Sequence, residues 1–296
     1  MKGIILAGGA GTRVYPNTKV LSKQILPVYD KPTIYYPLST LLKLGVRDVL
    51  IISNKVHSFL DLLGDGRDLG INISYKEQKQ PRGIAEALII GENFIGNDNV
   101  VLALGDNIFT GIDYGYVPGA AIVGYKVSNP KDYGVVEFSL NGLDERVIIG
   151  IEEKPENPKS DIAVTGLYFY DDTAPARAKA LTPSSRNELE ITDLNKSYLK
   201  TGDLSLAILD PEHAWFDTGD HDQMFEASMF VKSIQNRTNS MIGCIELETH
   251  KAGNITKDEL CDLVYKMPNS KYKENIIRYF DSAKLGQVID IKQLNT

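Results

Sequence analysis

Short, nearly unbroken apolar runs recur along the chain, each pair separated by enough residues for a helix: KGIILA (2–7), DVLIIS (48–53), INISYKE (71–77), NVVLALGD (99–106) and AAIVGYKV (120–127). Runs of this length rich in Val, Ile and Leu predict strands buried on both faces, because a half-exposed strand would alternate. Between them the period changes. KPTIYYPLSTLLKLG sets Tyr35, Leu38, Leu41 and Leu42 along one helical face, with Pro32 in a first-turn position and Gly45 as the stop. HSFLDLLG and GIAEALIIGENF follow the same logic. Strands alternating with helices predict an α/β fold, a Rossmann-like three-layer arrangement with a mixed, mostly parallel sheet. Ligands of such sheets bind beyond the carboxyl ends of the strands. The glycine loop after the first run and Asp106 after the fourth both lie at such ends.

From about residue 133 the pattern is richer in strands: YGVVEF, RVIIGIEEK and AVTGLYFYD. A helix over ELEITDLNKSYLKTG, the strand LSLAIL and a turn-like WFDTGD follow. HDQMFEASMFVKSIQNR and residues 256–281 read as amphipathic helices. No repeat or linker interrupts the chain. The expected organisation is a catalytic domain over 1–240, with a helical C-terminal appendage over 241–296 belonging to the same compact unit.

Composition narrows the function classes. The 296 residues are 43% hydrophobic and 24% charged, as in a globular protein, and no apolar run approaches the ~18 residues of a membrane span. The chain opens almost directly on KGIILA, so no leader is expected and the cytoplasm is the expected location. Cys244 and Cys261 have no metal-like spacing and read as small core residues in a reducing compartment. A net charge of −7 argues against a nucleic-acid polymer as the main partner. Yet residues 1–29 hold Lys2, Arg13, Lys19 and Lys23 and no carboxylate, which points to a small anion at the first loop.

That loop, LAGGAGTRVYPNTKVLSKQ, is not a Walker loop, for no Lys-Ser or Lys-Thr follows its glycines. It is not the dinucleotide fingerprint either, because Val14 stands where the third glycine belongs. Pro16 opposes a helix opening directly from the glycines. What remains is a backbone cradle at Gly8, Gly9 and Gly11, beside the planar fork of Arg13 and the point charge of Lys23.

The pattern L-A-G-G-x-G-T-R-x-x-P, a spacer and S-K-Q-x-L-P-V resembles the signature of sugar-nucleotide pyrophosphorylases, and within them the glucose-1-phosphate thymidylyltransferases. YDKPTIYYPLSTL, LGDG, LGDNIF, YGVVEF, EEKPENPKS, VTGLYFYD, ELEITDLN and WFDTGDH continue the likeness in order to about residue 235. The resemblance implies that a sugar 1-phosphate attacks the α-phosphate of a nucleoside triphosphate and releases pyrophosphate. A phosphate monoester with a second pKa of about 6 is already ionised at neutral pH, so no general base or covalent nucleophile is required. Charge neutralisation and positioning carry such a reaction.

The same resemblance implies the residue roles. Arg13 and the loop Gly8, Gly9, Gly11 and Thr12 hold the triphosphate; Lys23 neutralises the reacting centre; Lys154 meets the sugar phosphate; Asp106 and Asp217 hold Mg²⁺. Gln24, Gln78, Gly83 and Asn107 belong to the nucleotide side, with the Gln78 amide suited to an imide base edge. Tyr133, Gly134, Glu153, Val164, Thr165 and Arg186 fall on the sugar-phosphate side. It further implies dTTP and glucose 1-phosphate as substrates and a homotetramer with feedback by a dTDP-sugar. A zinc site in HAWFDTGDHD (His213, Asp217, Asp220, His221, Asp222) is disfavoured by its spacing, and His221 is expected to open a helix.

Three departures from the family pattern stand out: the short TGIDYGYVPG (110–119) where a full helix is usual, Asn187 in place of Gly, and Asp220 in place of Thr. Two alternatives stay open. The same chemistry with UTP differs by one methyl group on the base, worth only ~1–3 kcal/mol. A catalytically silent sugar-nucleotide sensor would have no need to keep Lys23, Asp106, Lys154 and Asp217 together.

Overall fold

The apolar runs form the centre of a mixed sheet in a computed structural model that describes residues 1–112, 118–140 and 146–285. In chain order the first half comprises β1 (Lys2–Leu6), the short β2 (Pro27–Val28) and β3 (Lys31–Pro32), α1 (Tyr35–Lys43), β4 (Asp48–Ser53), α2 (Val56–Leu63), β5 (Asn72–Glu77), α3 (Glu86–Ile95), β6 (Val100–Leu104) and β7 (Asn107–Phe109). The second half comprises β8 (Ala120–Lys126), β9 (Gly134–Leu140), β10 (Arg146–Glu153), β11 (Ile162–Tyr170), α4 (Ala174–Lys179), α5 (Ile191–Thr201), β12 (Leu204–Ile208) and β13 (Trp215–Asp217). Four helices close the chain: α6 (His221–Thr238), α7 (Ile245–Lys251), α8 (Lys257–Lys266) and α9 (Lys271–Leu285).

The sheet runs β10-β9-β11-β6-β1-β4-β5, with β8 beside β11 and β12 beside β8. The half β6-β1-β4-β5 is parallel, whereas β11 pairs antiparallel with β6, β8 and β9. Successive residues of one strand enter opposite cores. Ile5, Ile51 and Ala103 pack with Leu38, Leu41 and Phe59 on one face, and Ile4, Leu50 and Leu102 pack with Leu88 and Leu194 on the other. This double burial explains the unbroken apolar runs, each fully buried Leu or Ile contributing about 1.5–3 kcal/mol. It completes the three-layer α/β arrangement.

Several local expectations shift. Pro32 does not open α1: Lys31–Pro32 pairs with Pro27–Val28, and the helix begins at Tyr35. Thr33 causes the delay, because its backbone N and its Oγ1 both donate to the Leu26 carbonyl, at 3.0 and 2.8 Å. The turn-like WFDTGD contains a strand, β13, paired antiparallel with β7. The helices α4 and α7 were not anticipated. Cys244 is buried but Cys261 is exposed, since α8 turns Leu260 and Val264 inward and leaves position 261 to solvent. Lys2 takes no part in an anion loop; its ammonium donates to the Phe94 and Ile95 carbonyls at the end of α3, at 2.7 and 3.2 Å.

The C-terminal helices share their own apolar cluster, including Cys244, Leu247, Leu260 and Ile276. A buried polar group ties them to the body. Lys31 pairs with Asp30, Gln235 of α6 bonds both, and Tyr272 of α9 donates to Glu246 at 2.6 Å. No helix among the described residues is long and apolar enough to cross a membrane.

Candidate active site

A cleft of about 320 Å³ opens at the carboxyl ends of β1 and β6. Its lining includes Gly8, Gly9, Arg13, Gln24, Gln78, Gly83, Asp106 and Asn107 from the predicted nucleotide side. Tyr133, Gly134, Glu153, Lys154, Val164, Thr165, Arg186 and Asp217 also line it. Gly11, Thr12 and Lys23 are not among its lining residues. Thr12 is exposed at the start of a 3₁₀ turn, and Lys23 reaches the site through its ion pair with Asp106.

The two carboxylates are brought together by register. Asp217 ends β13 directly opposite Asn107 of β7, so Asp106 and Asp217 emerge side by side. Lys23, Asn107 and Thr218 orient Asp106. Asn107 Nδ2 donates to its Oδ1 at 3.0 Å, and Thr218 donates to its carbonyl through backbone N and Oγ1, at 3.0 and 2.7 Å. Asn107 is itself locked, its Oδ1 accepting from Gly166 N at 3.0 Å and Trp215 Nε1 at 2.6 Å. It therefore braces Asp106 with both ends of its amide occupied.

Electrostatics split the pair. Burial alone would raise Asp106, but the Lys23 charge and the Lys23 and Asn107 hydrogen bonds outweigh it and hold the carboxyl below the usual range. Asp217 is pushed up to about 6, by burial first and then by the Asp106 charge, against the pull of Lys23 and Arg13. Two mutually repelling carboxylates supply hard oxygen ligands for a small divalent cation. No group of three or more His, Cys, Asp or Glu suited to a metal occurs among the described residues. A cation at Asp106 and Asp217 would therefore complete its shell from phosphate oxygens and water.

The anion loop is fastened from two sides. Thr18 Oγ1 donates to the Gly11 carbonyl at 2.8 Å. The Lys55 ammonium, carried just before α2, donates to the carbonyls of Thr18, Val20 and Leu21 at 3.2, 2.9 and 3.0 Å. Arg13 is exposed, and its guanidinium lies over Gly219 in the DTG turn, close enough that a Cβ there would meet it at 2.8 Å.

Gly83 does not cap α3. It sits at φ 99°, and a Cβ would lie 2.3 Å from the Leu189 carbonyl oxygen. Leu189 N donates to Arg82 O at 2.7 Å and Ala85 N to Leu189 O at 3.2 Å, so the nucleotide corner is stitched to the segment carrying Arg186. The departure at Asn187 is accommodated by its φ of 59°, a left-handed conformation that Asn tolerates better than other side chains. Asp220 caps α6, accepting from Gln223 N at 2.9 Å, and His221 opens that helix as expected. Residues 113–117 of the shortened 110–119 segment lie outside the described residues.

On the sugar-phosphate side Lys154 is exposed at φ 48°, an uncommon conformation for a lysine, fixed by its backbone N donating to Tyr133 O at 3.0 Å. Glu153 accepts from Thr192 Oγ1 at 2.6 Å. Arg186 is engaged with carboxylates, 2.8 Å from Glu190 and 3.7 Å from Glu153. Trp215 and Tyr168 also line the cleft, and Glu86, which does not line it, accepts from Gln78 at 2.9 Å; none of the three is among the residues expected from the sequence. Glu86 carries a readable signal, a carboxylate among the apolar residues of GIAEALII.

Residues 2–234 match the family described as Nucleotidyl transferase. A glucose-1-phosphate thymidylyltransferase of Neisseria meningitidis serogroup A is 51% identical over 288 residues, covering 94% of this chain and 99% of that protein. One from Mycolicibacterium smegmatis is 47% identical over 290 residues, covering 95% and 99%. Among solved structures, a UDP-glucose pyrophosphorylase complexed with UDP-glucose superposes with a TM-score of 0.69 at 25% identity, over 78% of this chain and 98% of that one. A Bacillus anthracis protein assigned as a glucose-1-phosphate thymidylyltransferase, in complex with a sucrose, gives 0.72 at 41% identity, over 78% and 94%. The chain belongs to the nucleotidyl transferase family and, within it, to the glucose-1-phosphate thymidylyltransferases.

Proposed function

We propose that the chain transfers the thymidylyl group of dTTP to glucose 1-phosphate, giving dTDP-glucose and pyrophosphate. The observation that carries this reading is one continuous cleft joining Gln78 and Gly83, the Asp106–Asp217 pair, and Glu153 with Lys154. A phosphate oxygen of the sugar 1-phosphate forms the new bond to the α-phosphorus, and the bond to the pyrophosphate oxygen breaks in line. The cradle at Gly8 and Gly9, with Arg13, holds the departing charge. Lys23 neutralises the reacting phosphates, and Lys154 holds the incoming phosphate. Glu153 accepts hydroxyl hydrogens of the hexose.

Asp106 and Asp217 are the proposed holders of Mg²⁺, which when bound supplies charge neutralisation and a template for the phosphate oxygens. In the same reading residues 1–240 form the catalytic domain and 241–296 its appendage. The enzyme works in the cytoplasm as a homotetramer, subject to feedback by a dTDP-sugar; the family likeness supports these points. UTP is the competing nucleotide, given the likeness to a UDP-glucose pyrophosphorylase. Pyrophosphate release from dTTP and glucose 1-phosphate, lost on chelation and restored by Mg²⁺, is the expected result. Release that survives chelation would remove the metal from the reading.

A further inference from the structure

The Gln78 side chain is 3% exposed and lines the cleft beside Gly8, where a Cβ would approach its Oε1 to 2.3 Å. An amide can be read from either end, and what fixes its sense here is Glu86. Gln78 Nε2 donates to Glu86 Oε2 at 2.9 Å. The same carboxylate accepts from Arg82: the backbone N reaches Oε2 at 3.2 Å, Nε reaches Oε1 at 2.8 Å, and Nη2 lies 2.6 Å from Oε1. Glu86 is 5% exposed in the first turn of α3, so packing and the Arg82 fork define its position. A carboxylate only accepts, and it therefore receives only the NH₂ end of the Gln78 amide.

We propose that Glu86 is a positioning residue for base selection: held by Arg82, it turns the Gln78 carbonyl oxygen toward the nucleobase. The inference rests on the proposed role of Gln78 as the base reader. Thymine and uracil carry N3–H and donate to that oxygen. Cytosine presents a bare N3, and two acceptors then face each other in a buried corner. A site built around such a hydrogen bond rejects a base that cannot make it far more strongly than it rejects a missing methyl. Selection for imide bases thus depends on a side chain that never touches the base.

The test measures kcat and KM for dTTP and dCTP, with melting curves as a control on folding. The native enzyme should favour dTTP by about a hundredfold or more. In Glu86→Ala that ratio should fall by about tenfold, through KM for dTTP with kcat nearly unchanged. Glu86→Gln, whose carbonyl oxygen still accepts from Gln78, should recover most of the preference. A folded Glu86→Ala variant with the native ratio overturns the proposal. Should that variant not fold, the native enzyme is assayed with N3-methyl-dTTP: a large loss supports the fixed acceptor, and use as good as that of dTTP overturns it. If the native enzyme takes dCTP as readily as dTTP, the Gln78 reading itself fails, and the Glu86 inference falls with it.

Discussion

The two ends of the cleft are built differently. At the carboxylate end, Asp106 is oriented by Lys23, Asn107 and Thr218, and Asn107 in turn by Gly166 and Trp215. At the sugar-phosphate end the cations lie on the rim: Lys154 is exposed, and Arg186 is held by Glu190, Glu188 and Glu153. On the proposed roles, charge that must be in place when the α-phosphate reacts is fixed in advance, where reorganisation would slow the step. Charge that captures a diffusing substrate can be ordered as that substrate arrives. If Arg186 takes the proposed role, an incoming phosphate would have to displace these carboxylates first.

Four substitutions rank this contrast. Asp106→Asn and Lys23→Ala should each lower kcat by roughly 10²–10³-fold in protein that is still folded at the assay temperature, because both act at the fixed end. Lys23→Ala should also lower the melting temperature, since it leaves the buried Asp106 carboxylate without its cation. Near-native turnover in either would mean that the reacting centre lies elsewhere. Lys154→Ala should raise KM for glucose 1-phosphate by about tenfold, while kcat falls less, as expected for a rim contact that binds more than it reacts. A kcat loss as large as that of Lys23→Ala would erase the distinction between the two ends. The smallest effect is expected at Lys55, whose ammonium fastens the loop between Arg13 and Lys23. Lys55→Met should raise KM for dTTP by about threefold and leave KM for glucose 1-phosphate alone. Equal rises for both substrates would show that the clamp is not specific to the triphosphate loop.

Much of this was legible in the sequence because it is local. The glycine cradle, Arg13 and Asp106 each follow a strand recognisable from its own apolar run. The start of α6 at His221 was legible in the same way, whereas the capping role of Asp220 was not anticipated. What was hidden is tertiary. Nothing local sets Asp217 beside Asp106; the pairing of β13 with β7 does, and both strands are too short to declare themselves. Pro32 sits where a helix start is plausible, yet the hydrogen bonds of Thr33 to Leu26 win over that preference. Cys261 misled because helix phase, not residue type, decides burial. Glu86 is marked in the sequence only as a carboxylate among apolar residues; the convergence of Gln78 and Arg82 on it is set by the fold.

Joining a thymine nucleotide to a hexose phosphate is the activity proposed for this cleft. Its most direct test measures kcat/KM for pyrophosphate release with dTTP and with UTP, each paired with glucose 1-phosphate and Mg²⁺. dTDP-glucose is the expected product, with a preference for dTTP of about 10–100-fold, the range one buried methyl can supply. A preference for UTP, or no pyrophosphate from dTTP and glucose 1-phosphate, would contradict it.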